Sequence, residues 1–174
     1  CQQMITRCYL EITNHCNLNC LFCPKTERAK HRLSLDEFEL LTDKLIGKVE
    51  FLYFHLMGEP FLHPLLPQFI QIARQKNFIP VLTTNGTLLS KAQGVIEARP
   101  HKIQISLHSH EGNAKEHPEE YIHQVMTFAQ EAASQGILIV LRLWNEGGYD
   151  TTNDYTVSGT HIVDDQPVTV TLVT

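Results

Sequence analysis

Along residues 7–144, apolar positions gather in short dense runs separated by longer segments in which they recur every three or four residues. The dense runs are "RCYLEIT" at 7–13, "VEFLYFHLM" at 49–57, "IPVLTT" at 79–84, "KIQISLH" at 102–108 and "ILIVLRLW" at 137–144. Each is short and rich in β-branched or aromatic residues, which predicts strands. Helical patterns lie between them. Ser34 and Glu37 match a capping box, and Leu35, Phe38, Leu41 and Leu45 then follow at helical spacing. Leu66, Phe69, Ile70 and Ala73 mark a second helix, and a weaker one covers about 90–98 and ends before Pro100. Pro118 opens the fourth, in which Tyr121, Val125, Phe128 and Ala132 share a face and Gly136 supplies the C-cap.

Five strands alternating with four helices imply parallel pairing through right-handed crossovers, and the continuous apolar runs fit strands covered on both faces. Either an open doubly wound sheet or part of a β/α barrel satisfies this pattern. A complete eight-stranded barrel takes about 250 residues, and this chain has 174, so a barrel here is partial, with five to six βα units. The rhythm stops after the fifth strand. From Tyr149 onward there is no Lys, Arg or Cys, and "YTVSGTHIV" returning through "DDQP" as "VTVTLVT" predicts a β-hairpin-like tail over 155–174. The expected organisation is a core domain at 1–148 and an atypical β-rich tail at 149–174. The chain opens on Cys rather than Met, which reads as a fragment or a processed product.

Composition narrows the function classes. With 43% hydrophobic and 19% charged residues, the chain has the material for one globular core. A net charge of -5 argues against a broad nucleic-acid surface, although Lys25, Arg28, Lys30 and Arg32 form a local basic strip able to meet an anionic partner. No apolar run is long enough to span a bilayer, and no signal-peptide pattern occurs, so the expected location is cytoplasmic. Phosphate-loop, zinc-protease and nucleophile-elbow motifs do not occur.

Cysteine usage points to a metal. The count of five is odd, and Cys16, Cys20 and Cys23 fall within eight positions, which fits ligation in a reducing compartment better than a disulfide framework. Cys8 reads as a buried strand residue. Structural zinc takes four protein ligands, so zinc would need a fourth from His15 or His31. Three thiolates on a four-iron cluster instead leave one iron open to bind a small molecule. The loop follows the first strand, at the carboxyl end of a parallel sheet, where α/β sites are built.

The C-x3-C-x2-C spacing in this position resembles the radical S-adenosylmethionine (radical SAM) enzymes. Met57-Gly58-Glu59-Pro60 resembles the family's Gly-Gly-Glu-Pro turn, with Met57 in the first glycine's place. "TTNG" at 83–86 resembles its Thr-Asn-Gly element, and "ISLHS" at 105–109 its Ser-Leu-Asp stretch, with His108 replacing Asp. The resemblance covers about residues 7–146. It implies a partial β/α barrel carrying a [4Fe-4S] cluster on Cys16, Cys20 and Cys23. The open iron would chelate S-adenosylmethionine, and reduction would cleave the cofactor to methionine and a 5′-deoxyadenosyl radical that abstracts hydrogen from a substrate.

The resemblance also implies cofactor contacts. Phe22 would lie beside the adenine; a backbone carbonyl near Gly58 would meet the methionine ammonium, with Glu59 and Pro60 shaping the turn. Asn85 and Ser106 would face the site. Strand alternation points Ser106 and His108 to the same side. Arg142, an always-charged fork in an apolar strand, needs a partner, either the cofactor carboxylate or a structural Asp or Glu. The wording "CPKTERA" and "FHLMGEPFLHP" looks most like members acting on peptides or proteins, which often carry extra iron–sulfur cysteines towards the carboxyl end; here none follows Cys23. Expected partners are an unidentified substrate and a reducing electron donor such as flavodoxin or ferredoxin. The alternative is a non-catalytic or truncated iron–sulfur or zinc module.

Overall fold

The computed structural model describes residues 5–111 and 118–142, together with short strands at 162–163, 166–167 and 171–173. Strands β1 (Ile5–Tyr9), β2 (Val49–Tyr53), β3 (Ile79–Thr84), β4 (Lys102–Ser106) and β5 (Leu138–Arg142) alternate with helices α1 (Leu35–Leu45), α2 (Leu66–Gln75) and α3 (Gln93–Ala98), then α4 (His108–Glu111) and α5 (Pro118–Ser134). All five strands are parallel and adjacent in sequence order. That order decides between the two architectures. Right-handed crossovers that always step in the same direction place every helix on the same face, so the sheet curls into a partial barrel; a doubly wound sheet requires a reversal.

The two faces differ as a barrel requires. Leu52, Leu82, Ile103, Ile105, Ile139 and Leu141 are buried and join Phe69, Ile70 and Ala73 of α2 with Val125, Phe128 and Ala132 of α5 in one core. Tyr53 and Val81, on the opposite face, are buried yet stand outside that core. They share the concave face with Tyr9, Thr83 and Gln104, because Tyr9 pairs with Tyr53, Tyr53 with Val81, and Thr83 with Gln104.

Local signals set the helix ends. Ser34 Oγ accepts the Glu37 N–H at 3.2 Å and Glu37 Oε2 accepts the Ser34 N–H at 2.7 Å, the expected capping box. Gly136, at φ +79°, ends α5: its N–H reaches Ala133 O, and the Ile137 N–H reaches Ala132 O at 3.1 Å, the paired bonds of a Schellman motif.

Three strands are shorter than expected, for one reason: their last residues leave the sheet to build loops. After β1, Thr13 bridges Arg32 in antiparallel fashion, and Ile12 O accepts the Leu33 N–H. After β2, the Met57 N–H goes to Glu11 Oε1 at 2.9 Å. After β4, His108 opens α4 instead of extending the strand, so the strand alternation expected of Ser106 and His108 does not apply. The tail also differs. Two short strands, β6 (Ile162–Val163) and β7 (Gln166–Pro167), pair antiparallel with each other. Residues 155–161 of the expected hairpin lie outside the described residues; the last strand, β8 (Thr171–Val173), pairs in parallel with β5 as the sixth strand of the sheet. An otherwise open edge at β5 is thereby covered.

Candidate functional site

The loop between β1 and α1 carries the three cysteines, and buried polar side chains at its base fix it. Asn14, 5% exposed, donates from Nδ2 to Ala29 O at 2.8 Å and accepts the His31 N–H on Oδ1 at 2.8 Å. Lys30 Nζ reaches Asn14 O at 3.0 Å. These bonds, with the Thr13–Arg32 bridge, close the loop like a clasp. Within it Cys20 is buried, Cys23 half-buried and Cys16 exposed. The Leu18 N–H points at Cys16 Sγ from 3.5 Å, and the Cys23 N–H bonds Cys20 O.

The β2 exit packs directly beneath this loop. A Cβ on Gly58 would stand 2.1 Å from Thr13 O and 2.9 Å from His15 O, so only glycine permits the approach. The Glu59 N–H then bonds His15 O at 2.7 Å. Glu59 is 2% exposed; Oε1 accepts the Phe61 N–H at 3.0 Å and Oε2 the Asn85 N–H at 2.7 Å. The carboxylate therefore shapes the turn and braces it against the end of β3. Burial pushes its pKa up to about 7 against the pull of those N–H groups and the Thr84 hydroxyl. Pro60 is buried at the first position of the short 3₁₀ turn Pro60–Leu62.

Asn85 joins the β3 end to the cysteines. Its Nδ2 donates to Asn17 Oδ1 at 3.0 Å and lies 3.9 Å from Cys16 Sγ, while Oδ1 accepts from the Thr87 hydroxyl and N–H. Asn17 in turn donates to Thr87 Oγ1 at 2.8 Å. Tyr121 of α5 donates its hydroxyl to Asn85 O at 2.8 Å. Gly86 (φ +74°) makes room, since a Cβ there would meet that hydroxyl at 2.8 Å.

On the other side of the loop, Phe22 is 42% exposed and packs edge-on against His108, with ring centroids 5.1 Å apart. His108 Nδ1 lies 3.3 Å from Arg142 O, and Cys20 Sγ lies 4.0 Å from Ser109 O. Burial, and then the Arg142 guanidinium, hold the His108 ring below its ordinary pKa despite that backbone bond. Ser106 pairs with Arg142 in register. Arg142 is half-buried, and among the described residues no carboxylate forms an ion pair with it.

Thus Phe22, Gly58, Glu59, Pro60, Asn85, Ser106, His108 and Arg142 all lie at the carboxyl end of the sheet, and Phe22, Gly58, Glu59, Asn85 and His108 make contacts there that link to the cysteine loop. Asn14, Asn17, Thr87, Glu11 and Tyr121 belong to the same framework and were missed by sequence reasoning. Only Glu11 left a trace, as a charge inside an apolar run. Its carboxylate holds both the Met57 N–H and Arg28 Nη2, the latter at 2.6 Å.

The donor set fits a multi-iron cluster. Structural zinc takes four protein ligands, and of the two candidate histidines His31 has its Nε2 3.4 Å from Glu37 Oε2. Three thiols spread along one loop, with N–H donors aimed at sulfur, suit a larger sulfide-bridged group. No helix among the described residues is long and apolar enough to cross a membrane.

Comparison with known proteins agrees with this geometry. The family model for the Radical SAM superfamily matches residues 10–161. GTP 3',8-cyclase of Chlorobaculum tepidum is 33% identical over 109 residues, 56% of this chain and 31% of the cyclase. The tungsten-containing aldehyde ferredoxin oxidoreductase cofactor-modifying protein of Pyrococcus furiosus is 34% identical over 86 residues, 47% of this chain and 24% of that protein. The chain thus spans less than a third of either relative. Among solved structures, BtrN in complex with AdoMet and 2-DOIA superposes with a TM-score of 0.65 at 17% identity, over 81% of this chain and 58% of that one. Streptococcus suis SuiB bound to S-adenosylmethionine gives 0.62 at 16%, over 80% and 34%. At such identities the likeness is one of fold. Through its family match and its partial-barrel fold, the chain belongs to the radical SAM superfamily, whose members use a [4Fe-4S] cluster and S-adenosylmethionine.

Proposed function

We propose that this chain is the core of a radical SAM enzyme that abstracts hydrogen from a substrate, with Cys16, Cys20 and Cys23 holding the cluster. The observation that carries the reading is the clasped cysteine loop seated on the Gly58–Pro60 turn and tied to Asn85. When bound, the cluster supplies the electron that cleaves S-adenosylmethionine to a 5′-deoxyadenosyl radical. The protein's own part is positional. Gly58 lets the turn approach the loop, Glu59 locks turn to strand, and Asn85 fixes the loop beside Cys16. Phe22, exposed at the loop tip, offers an aromatic face to the adenine, and Ser106 offers a hydroxyl to the ribose or carboxylate. His108 lines that side through its contact with Phe22. The Arg142 guanidinium, without a carboxylate partner among the described residues, suits the cofactor carboxylate bidentately.

The substrate class we propose is a peptide or protein, on the likeness of the wording around the cysteines and Gly58, with flavodoxin or ferredoxin as reductant. Anaerobic reconstitution with iron and sulfide, followed by low-temperature electron paramagnetic resonance, tests the core reading. A four-iron signal that shifts on adding S-adenosylmethionine, and is lost in Cys20→Ala, is expected. A chain that holds only zinc, or a signal indifferent to the cofactor, would overturn it.

A further inference from the structure

On the concave face, one level below Ser106 and Arg142, three polar side chains form a row: His55, two residues past the end of β2, Thr83 of β3 and Gln104 of β4. His55 Nε2 is 3.1 Å from Thr83 Oγ1, and Thr83 Oγ1 donates to Gln104 Oε1 at 3.3 Å. The next residue along that register, on β5, is Val140, so the row ends there on an apolar neighbour. None of these three residues has a part in the cluster or cofactor framework described above.

The direction of the row fixes the state of the histidine. A hydroxyl has one proton, and that of Thr83 is given to Gln104. Toward His55 the hydroxyl can therefore only accept, which places a hydrogen on Nε2. The imidazole is neutral, because burial first and the Arg142 guanidinium second lower its pKa to about 4. A neutral ring carries one N–H, so Nδ1 is a bare lone pair. Among the described residues no group donates to Nδ1, which is shielded from solvent. A buried acceptor left without a donor is costly and calls for a partner.

The surroundings indicate how a partner reaches it. The His55 ring packs edge-on against Tyr9 (centroids 5.6 Å apart) and Tyr53 (5.9 Å). Tyr53 is buried, but Tyr9 is 49% exposed at the rim and held there by stacking on Tyr53. Tyr9 is thus the more exposed of the two aromatic neighbours of the ring, and a ligand that displaced it to reach Nδ1 would have to offset its contacts with Tyr53 and His55.

We propose that the His55–Thr83–Gln104 row is a substrate-binding subsite in which His55 Nδ1 accepts a hydrogen bond from a hydroxyl or N–H group of the substrate, against an aromatic wall formed by Tyr9 and Tyr53. At Nδ1 itself a carboxylate or phosphate oxygen finds no donor, so the atom selects for an O–H or N–H group. The subsite rests on the proposed radical SAM reading only in calling the ligand a substrate.

The test uses the full reconstituted chain with its cluster oxidised and its histidines isotope-labelled. Proton–nitrogen correlation NMR, with His55 assigned by the signals missing from His55→Phe, reads which ring nitrogen carries the proton. The probes are glycerol and its trimethyl ether, which share a skeleton but differ in O–H donors. Nδ1 is expected to be unprotonated and to respond saturably to glycerol, with the ether binding roughly tenfold more weakly or worse. Thr83→Val, similar in volume but without the hydroxyl, should abolish the tautomer preference and weaken the response to glycerol. A protonated Nδ1, an equal response to both probes, or no response to glycerol overturns the subsite. Because ring nitrogens are read rather than radical chemistry, a failed cofactor-shift experiment and a failed subsite are separate results.

Discussion

Replacing Gly58 by alanine tests the close approach on which the site depends. The added Cβ would lie 2.1 Å from Thr13 O, 2.8 Å from Thr13 C and 2.9 Å from His15 O, all backbone atoms that no rotamer change can clear. Relief requires the base of the cysteine loop to move away from the turn. Overpacking a filled site costs about 1–3 kcal/mol. Displacing the Glu59 N–H from His15 O removes a further contribution of about 0.5–1.5 kcal/mol. The sum is about 2–4 kcal/mol, one to three orders of magnitude in the unfolding equilibrium. Urea unfolding measures it; with a slope of about 2 kcal/mol per molar, the midpoint falls by about 1–2 M. The control is Gly47→Ala. There φ is +71° but nothing lies within 4 Å of the added atom, so only the left-handed backbone is penalised, by about 1–2 kcal/mol. Iron content separates the two: Gly58→Ala should reconstitute poorly, whereas Gly47→Ala should reconstitute as the parent does. If Gly58→Ala unfolds within about 0.5 kcal/mol of the parent and takes up iron normally, the packing argument is wrong.

Two buried groups give opposite pH dependences. The carboxyl of Glu59 is raised from 4.5 to about 7; the folded chain keeps a proton there that the unfolded chain releases, so this contribution is full below pH 4.5 and is lost as pH rises to about 7. His55 is lowered from 6.5 to about 4; its contribution is full above pH 6.5 and is lost as pH falls towards 4. Each is worth at most about 3 kcal/mol, and between pH 4.5 and 6.5 they offset. Unfolding free energies across that window should rise with pH in Glu59→Gln and fall with pH in His55→Phe; unchanged profiles would discount both burials. Tyr121→Phe removes the hydroxyl that meets Asn85 O and should lower stability by about 1 kcal/mol in urea unfolding. Asn14→Ala loses both clasp bonds, each worth about 0.5–1.5 kcal/mol and so about 1–3 kcal/mol together; limited proteolysis should then cut within residues 15–30 first.

Much of the barrel was legible because the signals that specify it are local. The capping box at Ser34 and Glu37, the apolar face of Tyr121, Val125, Phe128 and Ala132, and the Gly136 stop each act within a few residues, and all form as the pattern predicts. The strand ends were not legible. "YLEIT" and "YFHLM" are apolar enough to continue as strands, but Thr13 pairs with Arg32 and the Met57 N–H with Glu11, partners 19 and 46 residues away. His108 reads as the next position of a strand, yet it opens a helical turn.

The same division runs through the site. The sequence by itself determined the chemistry available: three thiols at a spacing that leaves a ligand wanting, a small residue at 58, a fixed cation at 142. Residue type and spacing suffice for that, since they do not depend on where the chain goes. Only the tertiary structure decided which groups meet. Parallel strands in sequential order set Thr83 and Gln104 side by side, and the exit from β2 brings His55 to them, although the three are 28 and 21 residues apart in the chain. It brought Asn85 to Cys16 across 69 residues and placed the Tyr121 hydroxyl on Asn85 O. Such contacts have no periodicity to announce them. They arise because right-handed crossovers return every strand to the same sheet in the same direction, bringing the strand ends together at one mouth.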